Sequence, residues 1–112
     1  MKNKNYVSYL VSLVKNFDYS MLSDAEWDAL KEIDASDNVQ LTQAIRDVVK
    51  PEFDSWDAPS RQLVKDALEG CLALPDYDFA AVLRNVEMPF ASNPNPRTFL
   101  MLVQQVVLEH TV

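Results

Sequence analysis

The sequence predicts an all-α protein: a single helical domain over residues 1–112, built as a compact bundle of five to six helices around a buried C-terminal helix. Three observations carry that prediction. The stretch from Arg97 to His110 is apolar on nearly every side, and such a helix has to be enclosed by protein or lipid. It is too short to cross a bilayer, which takes about 20 residues. Glycine occurs once, at Gly70, and no Asn-Gly or Asp-Gly pair is present, so the positive-φ residues that hairpin turns use are missing. Apolar residues make up 48% of the chain, enough for a core and well above the content of a disordered segment.

The elements follow in order. Tyr6, Leu10, Leu13, Val14 and Phe17 recur at helical spacing and predict an amphipathic helix over 4–17, with Ser8, Ser12, Lys15 and Asn16 outward. Ser23 and Glu26 form a capping box, and Leu22 and Trp27 stand where a hydrophobic staple would close; a helix is expected over 24–34, with Trp27, Leu30 and Ile33 inward. Asp37 or Asn38 caps a third helix on the stripe Leu41, Ala44, Ile45, Val48 and Val49. Pro51 is expected to end it, because a proline pushes the preceding residue out of helical geometry, and Glu52 to Asp57 then form an acidic, aromatic linker. A fourth helix begins near Asp57 with Pro59 in its first turn. It either runs through Gly70 or stops there at a glycine cap, and Pro75 ends it in both cases. Asp76 or Asp78 caps a fifth helix with Phe79, Val82, Leu83 and Val86 inward. From Glu87 to Pro96 three prolines mark a loop that Phe90 can anchor.

The net charge of −7 is uneven: residues 1–17 carry +3, residues 18–57 carry −8 and residues 58–112 carry −2. Such a balance repels nucleic-acid phosphates and anionic lipid and steers a basic partner inward. The single cysteine, Cys71, lies in an apolar run and reads as a small core hydrophobe in a reducing compartment. Lys2 and Lys4 ahead of an apolar stretch resemble the start of a signal peptide, but no small-residue cleavage site follows, so a cytoplasmic protein is expected.

No catalytic residue, cofactor or metal site is predicted. The only histidine, His110, suits a helix C-terminus. No paired metal-binding histidines, Cys-x-x-Cys, phosphate-binding glycine loop or nucleophile elbow is present, and the run from Asp34 to Asn38 lacks the glycine and glutamate of a calcium loop. An enzyme is therefore not expected. The acids say more. Asp24, Asp28 and Glu32 recur every four residues, a repulsive spacing worth about 0.2–0.5 kcal/mol per pair that Lys31 and the helix dipole partly offset; a basic partner would account for the cost, and the alternative is an ordinary solvated face. Phe53 and Trp56 stand among Glu52, Asp54 and Asp57, in the pattern of an interface anchor ringed by charge; the alternative is that both rings close the core. These eight residues are the candidate partner-binding set.

A compact, acidic, all-helical chain without an active-site motif resembles the bacterial immunity proteins that neutralise nuclease toxins of bacteriocin and contact-dependent inhibition systems. The Tyr-Tyr-Pro stretch of the helical colicin immunity proteins is absent, Asp76-Tyr77-Asp78 does not replace it, and no binding residue is carried over. The resemblance implies an antitoxin that inhibits a basic, nuclease-like toxin domain by tight one-to-one binding, with no direct contact to nucleic acid or membrane. Two alternatives stand beside it: an inhibitor that mimics nucleic acid to occupy a nucleic-acid enzyme, and a structural or adaptor bundle that self-associates.

Overall fold

The molecule is organised on its last helix. Asn95 accepts a hydrogen bond from the Thr98 amide at 3.0 Å and Pro96 occupies the first turn, where no N–H is needed; the helix that follows, Pro96–Val107, buries Phe99, Leu100, Leu102, Val103, Val106 and Val107. The computed structural model describes residues 6–84, 86–90 and 94–109. Among these the chain forms six α-helices and no strand: α1 Tyr6–Val14, α2 Asp24–Lys31, α3 Asn38–Ser55, α4 Ala58–Leu72, α5 Ala80–Leu83 and α6 Pro96–Val107. Two 3₁₀ turns, Lys15–Phe17 and Tyr19–Met21, lie between α1 and α2. The expected first residues of α1 and the expected end of α6 at His110 lie outside the described residues.

Side-chain links fix the directions of the helices. Arg46 of α3 pairs with Glu109 at 2.6 Å and Lys50 donates to the Glu109 carbonyl at 3.1 Å; Asn38 and Leu41 lie beside Asn95 and Thr98 while Phe53 and Asp54 lie beside Val107 and Leu108, so α3 and α6 run parallel. Arg97, in the first turn of α6, donates to the carbonyls of Leu72 and Leu74 at the end of α4, so α4 runs antiparallel to α6. Phe17, just after α1, meets Phe99 at 5.6 Å and the loop residue Phe90 at 5.6 Å. Phe90 is buried, as its anchoring role requires. The buried side chains form one continuous cluster. No described helix is long and apolar enough to cross a membrane.

Three features differ from expectation. α3 passes through Pro51 and ends at Ser55. The ring removes the N–H that would bond the Asp47 carbonyl, but Asp47 and Pro51 both face solvent, while Val49 and Phe53 on either side of the proline are buried. Burial of Phe53 thus keeps the last turn helical, and residues 52–55 belong to α3 instead of a linker. α5 is only four residues long, Ala80–Leu83. Downstream, the Glu87 amide donates to Asp18 at 2.7 Å and the Glu87 carbonyl accepts from the Tyr19 amide at 3.0 Å; these long-range bonds hold the segment after α5 against the 3₁₀ turn and take the place of further helix. Finally, α6 keeps an open stripe at Met101, Gln105 and Leu108, with Met101 50% and Leu108 49% exposed. It is buried along one broad face and not all round.

The two readings of Gly70 are resolved in favour of continuation. α4 reaches Leu72, and no glycine has positive φ.

Candidate functional site

The corner between α3 and α4 is built by a short sequence of local events. Trp56 leaves helical geometry as the C-cap of α3, its amide bonding the Phe53 carbonyl at 3.1 Å. Asp57 then caps α4, accepting the Ser60 amide at 2.8 Å. Hydrogen bonding from Ser60, first through its side chain and then through its amide, holds the Asp57 carboxyl below the usual range. The indole of Trp56 is fixed at both ends of its ring system: Nε1 donates to Glu52 Oε2 at 3.3 Å, and the ring tilts against Phe53 with centroids 5.9 Å apart.

This corner and α1 enclose an open groove of about 490 Å³, walled by Tyr9, Ser12, Ser55, Trp56, Asp57, Ser60, Leu63 and Val64. The volume lies within the roughly 300–1,000 Å³ range of ligand pockets. Leu63 on its wall is 46% exposed. Among the described residues no basic side chain lines it.

The candidate residues of the corner take different places. Trp56 and Asp57 line the groove. Glu52 is exposed and orients Trp56. Asp54 is exposed and pairs with Lys50 at 3.2 Å. Phe53 is 2% exposed and belongs to the core, as the alternative reading of the two rings had it; its helical register, once α3 continues past Pro51, points it inward with Val49. The rings of Phe53 and Trp56 thus divide between core and surface.

The second acidic group lies elsewhere. Ser23 and Glu26 make the capping box, with Ser23 N to Glu26 Oε1 at 2.8 Å and Glu26 N to Ser23 Oγ at 3.1 Å. α2 is thereby started as expected, and Asp24 and Asp28 on it and Glu32 at its C-cap are all exposed. Lys31 pairs with Asp28 at 3.4 Å. The helix stops at Lys31, and Asp34 instead closes a turn by accepting from the Ser36 amide and hydroxyl. Beside the stripe, Trp27 is only half-buried and packs edge-on against Tyr19 at 4.9 Å. Tyr19 and Met21 are 57% and 55% exposed. The helical spacing of Trp27 pointed it inward; the exposed Tyr19 and Met21 gave no periodic signal that could have identified them.

The two acidic groups do not converge. α2 is followed within a few residues by the first turn of α3, whereas Glu52 to Asp57 stand at the far end of that helix. The axis of α3, eighteen residues long, spans about 27 Å from its first turn to its last.

Elsewhere, Cys71 is fully buried, and burial pushes its thiol above the ordinary value. It faces Tyr77, whose enclosed hydroxyl has no hydrogen-bond partner of normal geometry and whose pKa is pushed up to about 12, mainly by burial and then by the thiol. A protonated, buried thiol is a poor nucleophile. Among the described residues no three His, Cys, Asp or Glu side chains gather as a metal ion would need. Compared with known proteins, the chain matches no family model, no curated protein and no solved structure.

Proposed function

We propose that this protein is a small acidic inhibitor that acts by binding a basic protein partner at the α3–α4 corner, in the manner of an immunity protein holding a nuclease-like toxin domain. One observation supports this reading above the rest: an aromatic groove whose one charged wall residue among the described residues is Asp57, bordered by Glu52 and with Trp56 already fixed in place. A rigid aromatic in a concave, partly apolar site is the usual centre of a protein interface. Acidic surroundings speed encounter with a basic surface, while burial of the aromatic slows dissociation.

The reading assigns the α2 stripe a lesser part. Its three carboxylates are exposed and none lines the groove, so it contributes to steering more than to the bound state. Mimicry of nucleic acid calls for a continuous track of free carboxylates, and the pairing of Lys31 with Asp28 and of Lys50 with Asp54 interrupts it. Self-association through the open stripe of α6 has only Met101 and Leu108 as apolar side chains, few for an interface that typically covers about 800 Å² on each partner.

The test is affinity capture from a lysate of the source organism at low and moderate salt, with binding to the recovered protein then measured. The expected result is one basic domain, retained at moderate salt, whose affinity falls at least about 30-fold on Trp56→Ala, the size of an interface hot spot. Reversing Asp24, Asp28 and Glu32 to lysine should weaken it by less than about fivefold in physiological salt. Capture of no basic partner, or a larger loss from the stripe than from Trp56, rejects the reading.

A further inference from the structure

The hydrogen-bonding character of the groove is one-sided. Ser12 Oγ donates back to the Ser8 carbonyl at 3.0 Å, and Ser55 Oγ donates to the Glu52 carbonyl at 2.6 Å. Both hydroxyl protons are therefore committed to backbone, and what these side chains offer outward is oxygen lone pairs. The indole N–H of Trp56 is likewise spent on Glu52. Asp57 accepts from the Ser60 hydroxyl and amide and feels the Arg61 guanidinium, which is turned to the Trp56 carbonyl at 2.6 Å, but its carboxylate keeps further acceptor capacity. The groove thus presents acceptors, one negative charge and an aromatic ring; the donors of Ser12, Ser55 and Trp56 are engaged, and the Tyr9 hydroxyl can donate or accept.

Its walls also have an apolar part. Val64 is buried at the base and Leu63 is half open. A ligand that fits must be rich in donors, cationic, planar enough to lie on an indole, and carried on an aliphatic stem. Among protein side chains that is arginine: five N–H donors in a planar fork, a permanent positive charge and a three-methylene stem.

We propose that the groove receives an arginine side chain from a basic segment of the partner, with its guanidinium against Trp56, its N–H groups directed to Asp57 and its stem along Leu63 and Val64. This rests on the partner-binding reading given above and names the chemistry that the site selects. Lysine, with a compact and more strongly hydrated charge, gains less from the ring and cannot spread its donors in one plane.

The experiment titrates the full chain at low salt with N-acetyl-arginine amide and follows the two indole N–H signals by ¹⁵N-correlated NMR. The expected result is a saturable shift of the Trp56 signal in the millimolar range, with Trp27 unmoved. The neutral isostere N-acetyl-citrulline amide should bind at least about tenfold more weakly, as a charge-assisted contact requires. Asp57→Asn keeps an N-cap residue on α4 and so preserves the fold, which its own spectrum reports; it should reduce the arginine affinity by about tenfold. No saturable shift, equal binding of the citrulline compound, or full affinity in Asp57→Asn overturns the proposal. Capture of a basic partner together with failure of the arginine probe rejects the proposal while leaving the partner reading intact. A positive probe with no basic partner rejects the partner reading and leaves the ligand preference of the groove established.

Discussion

Arg97 joins the first turn of α6 to the end of α4, and its removal should be felt by the whole bundle. Its guanidinium donates to the Leu72 carbonyl at 3.2 Å and to the Leu74 carbonyl, and it stacks 4.9 Å from the centre of the Phe79 ring. The last carbonyls of a helix have no partner within the helix, so Arg97 serves α4 as a cap supplied from another element. The bond to Leu72 is partly buried and, with a charged donor, contributes about 1.5–3 kcal/mol. The bond to Leu74 is exposed and adds about 0.5 kcal/mol, the lower end of the range for hydrogen bonds. Stacking on Phe79 adds about 0.5–1 kcal/mol. Because one side chain makes all three contacts, they overlap, and Arg97→Ala should cost about 2–3 kcal/mol in total. That is a substantial part of the roughly 5–15 kcal/mol available to a domain of this kind. Urea unfolding followed by far-ultraviolet circular dichroism at pH 7 measures it. Arg97→Lys should recover less than half, since a point charge reaches one carbonyl well and not two. A loss below about 1 kcal/mol for the alanine variant, or full recovery by lysine, would refute the reasoning, because either result puts Arg97 among ordinary surface charges.

Gly70 lies inside α4 with ordinary helical backbone, so Gly70→Ala should raise stability by about 0.5–1 kcal/mol in the same urea assay; destabilisation would restore the glycine-cap reading. Asp18 is held below the usual carboxyl range by the Ser20 hydroxyl first and then by the Glu87 and Ser20 amides. A depressed folded-state pKa gives stability that is present above the unfolded value and lost as pH falls through the folded one. The urea midpoint should therefore fall as pH drops below about 4, and less steeply in Asp18→Asn; identical slopes would remove Asp18 from the acid response. Cys71 is fully buried, so a thiol reagent should label it at the rate of local or global opening, with urea accelerating the reaction. Labelling as fast as a free thiol would show that the Cys71 environment is open.

How far the fold could be read from sequence depended on the range of the forces involved. The capping box of Ser23 and Glu26 and the cap at Asp57 were legible because each is closed within three residues. The C-terminal helix was legible from its composition alone. Pro51 misled because the local rule for proline is real but weaker than the burial of Phe53, which depends on α3 having a core to pack against. The short α5 misled for a similar reason, since its competitor is the pair of bonds between Glu87 and the turn at Asp18 and Tyr19, nearly seventy residues away in sequence. At the candidate site, the sequence singled out Trp56 and Asp57 but could not separate Phe53 from them. A single turn of helix decides which ring faces water. Nor could it place the α2 stripe relative to the corner, because that depends on how α2 turns away from α3, which no local pattern fixes. The groove itself involves Tyr9 and Ser12 of α1, which meet the corner only in the folded chain.

The position of α6 has a consequence for the order of events on the ribosome. The helix that supplies Phe99, Leu100, Val103, Val106 and Val107 to the core is made after the five it organises. Until residues 96–107 emerge, α3 lacks the helix it packs against most and α4 has α1 alone as its main partner. Folding must then wait for a late, long-range closure instead of advancing helix by helix. Nascent chains arrested short of residue 96 should expose the apolar face of α3 and bind a hydrophobic dye, and release of the last helix should quench the signal in one step.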